Sequence, residues 1–312
     1  MTRATSGGSV PLVSTLMAAY NSERFIAEAL ESALSQTYER LEVIVADDGS
    51  TDSTVEIAED YARRHPDRVV LLPRGDRGGP CRGRNRALAA ARGPLICWLD
   101  ADDVWLPDKV ERQVEIMTSR PEVGLVHTRY EIFDPDTGAL LPAESGPELR
   151  EGDLLTPLFL EGCVVGSLTA MFRKRVLEER GLMLREREFA FGDDYQLWLV
   201  LSLRWQAVAI DEVLARYRRH SANLSRQHGN YGLAYVGLLE EFASEFPEAR
   251  ARLGRRYHMG IGRQYLAAAL VAAGRRRYLR AAGFGFQGAW RDPVWFVRRL
   301  ARRVTPRRSR AR

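Results

Sequence analysis

The segment LEVIVADDGSTDST, residues Leu41 to Thr54, decides the fold. Its first six residues form a short, mostly apolar run rich in β-branched side chains, which predicts a buried strand. The carboxylates of Asp47 and Asp48 follow directly. The Ser and Thr residues after them are typical N-caps for the helical sequence that continues through Arg64. The segment therefore predicts a strand, a turn with two adjacent negative charges, and a helix.

The same unit repeats along the first hundred residues. Segments with helical spacing of apolar residues separate further short apolar runs, and the connections between them are short. Such alternation predicts an α/β fold in which a parallel sheet has helices on both faces. The predicted strands are Val10–Ala18, Leu41–Ala46, Arg68–Pro73 and Pro94–Asp100.

The pattern loosens after Pro107 and changes again near residue 221. Between these points helix-like and strand-like segments alternate around a Pro- and Gly-rich stretch, whereas the sequence beyond them is mostly helical with Arg-rich faces. We therefore predict a disordered tail over residues 1–9, an α/β domain over 10–225 and a C-terminal helical region over 226–312.

The net charge of +5 is unevenly distributed. Residues 275–312 contain 13 Arg and one acid, a net of +12, so the remaining 274 residues carry a net of −7. The Arg-rich end indicates an anionic partner, either lipid head groups or nucleic acid, or else a solvated tail. Because no nucleic-acid-binding module accompanies it, nucleic acid is the weakest of these alternatives.

The cysteines and the hydropathy pattern indicate a compartment. Cys81, Cys97 and Cys163 are odd in number and lack the spacing of metal ligands, which favours a reducing environment without disulfides. The first ten residues contain no apolar core of a secretory signal, and no stretch approaches the ~20 apolar residues of a membrane span. These features predict a cytoplasmic protein, either free or peripheral on the inner face of the membrane.

Clusters of carboxylates follow two of the predicted strands. DDGS, with Asp47 and Asp48, follows the second strand, and DADD, with Asp100, Asp102 and Asp103, follows the fourth. Ligands of open parallel sheets bind outside the carboxyl ends of the strands, so both clusters should lie at one edge. Crowded carboxylates take up protons unless a cation neutralises them, and Mg²⁺ binds through one or two carboxylates plus substrate phosphates. Helix capping is a fair alternative for Asp47, but one cap does not need the three carboxylates of DADD.

Five stretches, in this order, resemble the inverting nucleotide-sugar glycosyltransferases of family 2, which have the GT-A fold. They are VSTLMAAYNS, EVIVADDGSTDST, RGRNRALAAARGPLICWLDADDVW, GDDYQLWL and YRRHSANLS, and the resemblance covers about residues 10–225. It implies a nucleotide-diphospho-sugar transferase fold with a mostly parallel central sheet. It also implies a metal-dependent enzyme that moves a sugar from a nucleotide-sugar, above all a UDP-sugar, to an acceptor hydroxyl. The implied setting is bacterial polysaccharide or glycolipid assembly.

The resemblance assigns residues to the donor side of the site. It implies that Tyr20 flanks the nucleobase, that Asp48 accepts a hydrogen bond from the base, and that Arg84 lies near the nucleotide. A helix-surface arginine is the alternative for Arg84. Gly166 and Ser167 resemble the acceptor-side segment behind the donor sugar, where small side chains let a sugar approach the backbone.

The resemblance also assigns the metal ligands. Asp100, Asp102 and Asp103 would together hold the ribose and a Mg²⁺ or Mn²⁺ ion that bridges the diphosphate. We assign Asp100 to the nucleotide and the other two to the metal, although the sequence does not decide which of the three ligates the ion. His220 matches a His that touches the metal or the diphosphate in related enzymes, and a surface His is the alternative.

Asp194 in GDDYQLWL matches the catalytic base of the family, which removes the proton of the acceptor hydroxyl as the sugar transfers with inversion. This chain has Asp193 where the family usually has Glu, so the choice between the two neighbours stays open. Capping of the following helix is the alternative role for this pair.

Two questions stay open at the level of sequence. The C-terminal helices mix Trp290, Trp295 and Phe296 with Arg pairs, which indicates either an interfacial surface for anionic lipid near a lipid-linked acceptor, or a packed bundle or oligomer contact. The other functional classes are a non-catalytic nucleotide-sugar-binding protein, which would not need Asp194, and a nucleotidyltransferase that forms sugar nucleotides. The latter should have a Gly-rich, Lys- or Arg-bearing loop after the first strand, and MAAYNSE is not one.

Overall fold

The computed structural model describes residues 10–141, 148–180, 184, 192–224, 231–274, 278–294 and 297. These residues form two compact units. The first contains the chain up to Asp153 together with Val164–Asn223, and the second contains Leu154–Cys163 and the chain from Leu224 onward. The tail predicted over residues 1–9 lies outside the described residues. The observed division falls near residue 225, but the segment 154–163, which the sequence placed in the α/β domain, packs with the second unit.

A sheet of eight strands, counted over the described residues, forms the centre of the first unit. In chain order the strands are β1 (Val13–Ala19), β2 (Leu41–Asp47), β3 (Val69–Leu71), β4 (Leu95–Trp98), β5 (Val104–Trp105), β6 (Val123–Phe133), β7 (Met171–Arg173) and β8 (Gln206–Arg218). Their order across the sheet is β3-β2-β1-β4-β7-β6-β8-β5.

The sheet is mostly parallel. Strands β3, β2, β1 and β4 pair in parallel, as do β6 and β8. Strand β7 runs antiparallel to both β4 and β6, and β5 runs antiparallel to β8. The predicted α/β fold with a mostly parallel sheet is therefore confirmed. The insertion of β7 between the two parallel blocks is a feature that the alternation of strand and helix did not indicate.

The described residues also form α-helices in both units. In chain order they are α1 (Ile26–Leu34), α2 (Thr54–Arg64), α3 (Pro80–Ala90), α4 (Lys109–Ser119), α5 (Leu155–Glu161), α6 (Arg175–Arg180), α7 (Asp193–Leu201), α8 (Tyr231–Glu245), α9 (Pro247–Leu253), α10 (Arg255–Gly274) and α11 (Tyr278–Arg291), with a 3₁₀ turn at Ser167–Thr169. Helices α1, α2 and α3 join the four parallel strands β1 to β4, as the strand–helix alternation predicts.

The register of the parallel strands brings their ends to one level. All seven residues of β2 are buried, as expected for a strand covered on both faces. Ala19, the last residue of β1, lies opposite Asp47, the last residue of β2, and β4 lies on the other side of β1. The loops after β1, β2 and β4 therefore start side by side at the carboxyl edge of the sheet.

The second unit is helical. The ring of Phe159 on α5 packs against Phe242 and Tyr257, with ring centroids 6.1 and 6.0 Å away. Gly260 on α10 lies so close to α5 that a Cβ atom there would stand 2.5 Å from the carbonyl oxygen of Phe159. Among the helices of the described residues, none combines the length and the hydropathy needed to cross a membrane.

Candidate active site

The carboxylates of the DDGS turn, Asp47 and Asp48, are here called the β2 pair. Asp47 accepts hydrogen bonds from the backbone N–H groups of Gly49 and Ser50, at 2.9 and 3.0 Å, and from the Ser50 hydroxyl. Its side chain is 1% exposed. Asp47 therefore shapes the turn and does not cap helix α2, which begins only at Thr54.

Asp48 organises a second loop. Its two carboxylate oxygens accept from the backbone N–H groups of Gly78 and Gly79, at 2.8 and 2.6 Å. The guanidinium of Arg77 in the same loop lies over the ring of Tyr20, 4.9 Å from its centroid. Tyr20 is 38% exposed, so an aromatic face is available beside Asp48 at the carboxyl edge.

Arg84 lies on helix α3, which packs against the ends of β1 and β2. The close approach requires the preceding glycine, because a Cβ on Gly83 would stand 3.2 Å from the Cβ of Ala18. The guanidinium of Arg84 is buried over the ring of Trp98, at 4.8 Å from the centroid. It donates to Asp100 at 2.5 Å and to Asp193 at 2.8 Å.

The ion pairs of Arg84 have an electrostatic consequence. Burial alone would lower the pKa of Arg84, but the negative charges of Asp100 and Asp193 outweigh it and the pKa is raised. The Nε atom of Arg84 is buried and has no hydrogen-bond partner among the described residues. Arg84 is thus a firmly charged, buried cation rather than a helix-surface arginine.

Five carboxylates gather around Arg84 and the turn after β4, and we call them the acidic cluster. Burial raises the pKa of Asp100 and of Asp103, and the negative charge of Asp102 adds to both shifts. Burial also raises the pKa of Asp194 to about 7, with Asp193 as the next contributor. The members of the acidic cluster are Asp100, Asp102, Asp103, Asp193 and Asp194.

Asp102 and Asp103 face different partners within the turn. Asp103 is 1% exposed, and its Oδ1 accepts from the backbone N–H of Arg218 at 2.9 Å. The side chain of Asp102 is 26% exposed, and its Oδ2 lies 2.8 Å from Nε2 of His220 and 3.2 Å from Nδ2 of Asn223. A carboxylate only accepts hydrogen bonds, so Nε2 of His220 carries the proton in this contact.

Asp193 and Asp194 open helix α7. Gly192 precedes them with φ of 93°, a left-handed conformation that favours glycine. Both acids lie in the first turn, where the helix dipole stabilises negative charge. Asp193 is 5% exposed and paired with Arg84, whereas Asp194 has the raised pKa.

Gly166 and Ser167 begin the 3₁₀ turn, both half-buried. A Cβ on Gly166 would stand 3.1 Å from the ring of Tyr130, so the small residue makes room for this ring. The indole N–H of Trp105 donates to the carbonyl oxygen of Leu168 at 2.9 Å. This bond joins the turn to β5, which directly follows the DADD segment.

A divalent cation fits the acidic cluster in part. Within the ranges that the structure describes, no three His, Cys, Asp or Glu side chains converge as a ready-made metal site. One or two carboxylates plus substrate phosphates suffice for Mg²⁺, and a cation would favour the charged forms of Asp100 and Asp103, whose pKa values are raised by burial first and by the charge of Asp102 in addition.

The structure thus brings most of the predicted residues together. Hydrogen bonds and charge interactions join Arg84 and His220 to the acidic cluster, while Tyr20 and Asp48 form a neighbouring group with the loop at 77–79. Arg218 and Asn223 were not among the predicted site residues. Both stand in the quoted stretch YRRHSANLS, whose polar residues after a strand were the available signal.

The fold and the site define a glycosyltransferase of the GT-A class. The chain is similar to residues 1–349 of S. aureus TarS, solved in complex with UDP-GlcNAc, with a TM-score of 0.62, 17% identity, and coverage of 90% of this chain and 92% of that chain. It is also similar to the mannosyltransferase PcManGT from Pyrobaculum calidifontis, solved with GDP-Man and Mn²⁺. That likeness has a TM-score of 0.63, 21% identity, and coverage of 94% and 79%. At these identities the likeness shows the fold.

The sequence gives the family. Residues 14–181, more than half of the chain, match the family described as Glycosyl transferase family 2. A relative in Escherichia coli is the UDP-Glc:alpha-D-GlcNAc-diphosphoundecaprenol beta-1,3-glucosyltransferase WfaP. It is 32% identical over 215 residues, which cover 69% of this chain and 80% of that protein. This chain belongs to glycosyl transferase family 2.

Proposed function

We propose that this protein is a metal-dependent, inverting glycosyltransferase that moves a sugar from a nucleotide-sugar, a UDP-sugar in the first instance, to an acceptor hydroxyl. Bacterial polysaccharide or glycolipid assembly is the proposed setting. The observation that carries the proposal is the half-buried carboxyl of Asp194, whose pKa is raised to about 7, next to Asp193 and the ion pairs that Arg84 makes with Asp100 and Asp193. A carboxyl with a pKa near the working pH is suited to general-base catalysis.

The nucleotide would bind at Tyr20 and Asp48. Tyr20 offers an exposed ring on which a base stacks, and Arg77 already packs against that ring. Each carboxylate oxygen of Asp48 accepts one backbone N–H, and a carboxylate has about four lone-pair sites, so Asp48 retains acceptors for an N–H of the base. The loop at 77–79 would thereby be ordered by the same residue that reads the base.

Asp100, Asp102 and Arg84 would hold the ribose and the diphosphate. We assign the cation to Asp102, because the carboxylate of Asp103 is buried behind the backbone of Arg218. His220 would support this ligand, because its Nε2–H donates to the Asp102 carboxylate at 2.8 Å. When bound, Mg²⁺ or Mn²⁺ offsets the negative charge that develops on the leaving diphosphate.

Asp194, rather than Asp193, would be the base. Asp193 is engaged in the buried ion pair with Arg84, at 2.8 Å, so proton uptake there would break that pair. In the proposed step the acceptor oxygen forms a bond to C1 of the sugar as the bond from C1 to the diphosphate oxygen breaks. The hydroxyl proton moves to Asp194, and the nucleoside diphosphate leaves. A single displacement of this kind inverts the configuration at C1.

The substitution Asp194→Asn tests this proposal. We expect it to reduce sugar transfer or slow donor hydrolysis by 10²–10⁴-fold, the usual range of general-base catalysis, with binding of UDP unchanged. Release of UDP from a panel of UDP-sugars with Mn²⁺ measures the rate, and titration calorimetry measures UDP binding. A rate above about a tenth of wild type would contradict the assignment of the base. Donor binding by the wild type without turnover of any donor would instead favour a nucleotide-sugar-binding protein.

A lipid-linked acceptor gives the C-terminal helices a role as an anionic-membrane surface. Leu279, Phe286 and Trp290 lie on one face of α11, seven and four residues apart, and are 93%, 69% and 79% exposed. The exposed Arg280 lies on the same helix, in a segment with a net charge of +12. Exposed aromatics with surrounding arginines are typical of helices that lie in the interface of anionic lipid. Trp295, Phe296 and the Arg pairs at 298–299 and 302–303, which belong to the same predicted surface, lie outside the described residues.

Vesicle sedimentation tests this surface. The double substitution Phe286→Ser and Trp290→Ser should lower the fraction of full-length protein that pellets with phosphatidylglycerol vesicles about tenfold or more. The matched control Val213→Ser, at a side chain 37% exposed on β8, should leave that fraction unchanged. Pelleting of the double variant at the level of the Val213→Ser control would exclude the membrane role of α11. Binding of the wild type to phosphatidylcholine vesicles as strongly as to phosphatidylglycerol vesicles would exclude recognition of anionic lipid.

A further inference from the structure

The end of β8 and the segment directly after it hold the DADD turn in place. Arg218, which is 4% exposed, donates from its backbone N–H to Asp103 Oδ1 at 2.9 Å and from Nε to the carbonyl oxygen of Asp102 at 2.7 Å. Its guanidinium lies between the rings of Phe25 and Phe133, 4.7 and 4.6 Å from their centroids. The backbone of the turn is therefore fixed from a strand more than a hundred residues away.

Asn223, 4% exposed, makes the corresponding contacts to the Asp102 side chain. Its Oδ1 accepts from the backbone N–H of His220 at 2.7 Å, and its Nδ2 donates to the carbonyl oxygen of Arg218 at 3.1 Å. These two bonds settle the orientation of the amide, because a flipped amide would face donor to donor and acceptor to acceptor. The second hydrogen of Nδ2 faces Asp102 Oδ2 at 3.2 Å, and Nε2 of His220 lies 3.0 Å away.

The contacts of Asp102 are consequently one-sided. Oδ2 receives His220 and Asn223, whereas Oδ1 accepts no hydrogen bond from any residue in the described part of the chain. We propose that Asn223 is a positioning residue of the metal site, which turns the Asp102 carboxylate so that Oδ1 is presented to a divalent cation. The inference rests on the proposed metal-dependent function, and it adds a residue to which neither the motif nor the likeness gives a role.

The expected size of the effect follows from the geometry of such contacts. Residues that hydrogen-bond a metal ligand typically change metal affinity by 10–100-fold when they are removed. Loss of the Nδ2 donor leaves Asp102 with His220 as its remaining side-chain partner among the described residues. The carboxylate then rotates more freely about χ2, and Oδ1 is presented to the cation less often.

Direct Mn²⁺ binding tests the proposal without relying on turnover. Free Mn²⁺ is measured by its electron paramagnetic resonance signal in titrations of the full chain with saturating UDP. We expect Asn223→Leu, which keeps the volume of the side chain, to raise the dissociation constant for Mn²⁺ at least tenfold. Asn223→Ser provides a second variant should the leucine prevent folding, and the same direction is expected.

A buried amide elsewhere provides the matched control. Gln36 is 6% exposed, donates to the carbonyl oxygens of Ser32 and Leu106, and accepts from the N–H of Val110, without touching a carboxylate. Gln36→Leu should lower the Tm as Asn223→Leu does while leaving Mn²⁺ affinity within twofold of wild type. Wild-type affinity in both Asn223 variants, or equal weakening in Gln36→Leu, would overturn the positioning role. Wild-type protein that binds no Mn²⁺ with UDP would overturn the metal-dependent function itself.

Discussion

The β2 pair and the acidic cluster lie at the same edge of one sheet, yet their carboxylates are held in opposite ways. The β2 pair accepts hydrogen bonds from backbone N–H groups of nearby loops, at 2.6–3.0 Å. In the acidic cluster the buried Arg84 pairs with Asp100 and Asp193, and the pKa values of Asp100, Asp103 and Asp194 are raised. Negative charge therefore stabilises the fold at the β2 pair and destabilises it at the acidic cluster, which contains the acids of the proposed chemistry.

Among the variants that test this difference, Arg84→Met should have the largest effect on the free energy of unfolding. Removing one partner of a buried ion pair destabilises proteins by about 3–5 kcal/mol, and here two carboxylates lose their partner. Because burial raises the pKa of Asp100, one of the two carboxyls left behind, its protonation at low pH removes an unpaired charge, so we expect a smaller loss of stability at pH 5 than at pH 8. Urea unfolding at both pH values measures the effect.

Arg86→Met is the control for that experiment. Arg86 lies on the same helix and donates to the backbone carbonyl oxygens of Asp47 and Pro73, not to the acidic cluster. It should cost less stability and show no comparable gain at pH 5. If the two variants lose stability equally at both pH values, the ionised acids of the acidic cluster do not destabilise the fold, and the proposed difference from the β2 pair is wrong.

The next test compares Asp47→Asn with Asp194→Asn. At Asp47 an amide replaces a charge that accepts from Gly49 and Ser50, so we expect a loss of about 1–3 kcal/mol. At Asp194 the same change removes a charge that burial disfavours, so at pH 8 the Tm should rise by about 2–4 °C per kcal/mol gained. Thermal unfolding measures both, and a decrease of Tm in both variants would remove the distinction between the two groups.

The smallest expected effect is the dependence of the rate on pH. The pKa of Asp194, raised to about 7, exceeds its ordinary value, so Asp194 holds a proton below pH 7 and is free to accept one above it. The rate of the wild type should fall about tenfold per pH unit below 7 and level off above it. The sign for stability is opposite, because the unfolded chain releases this proton at lower pH and stability falls as pH rises from about 4 to 7. A flat rate between pH 5 and 8 would assign the proton transfer elsewhere.

Sequence pattern predicted the positions of the strand ends well. LEVIVA and PLICW have the length and composition of buried parallel strands, and the carboxyl ends of such strands share an edge, so the placement of DDGS and DADD at one edge followed from local rules. The resemblance then supplied the family and the GT-A fold, both of which are confirmed. The roles assigned to single residues stay predictions.

The partners of the acids could not be predicted. Arg84 and Asp193 are 109 residues apart, and Arg218 and Asp103 are 115 apart, and no periodicity within either segment indicates which distant group completes a hydrogen bond. The antiparallel β7 escaped for a related reason, since its three residues are too few to show a direction. The pattern of apolar residues indicates which side chains are buried, but the choice among buried polar partners depends on tertiary packing.

The indole of Trp105 has a consequence for redesign of this enzyme. Its N–H reaches the carbonyl oxygen of Leu168, which couples the chain after DADD to the segment that the resemblance places behind the donor sugar. A replacement for residues 164–170 that is chosen to accept a different sugar keeps this hydrogen bond only if its backbone places a carbonyl oxygen where that of Leu168 lies. Chimeras that exchange this segment alone should therefore fail more often than chimeras that carry residues 100–105 from the same parent.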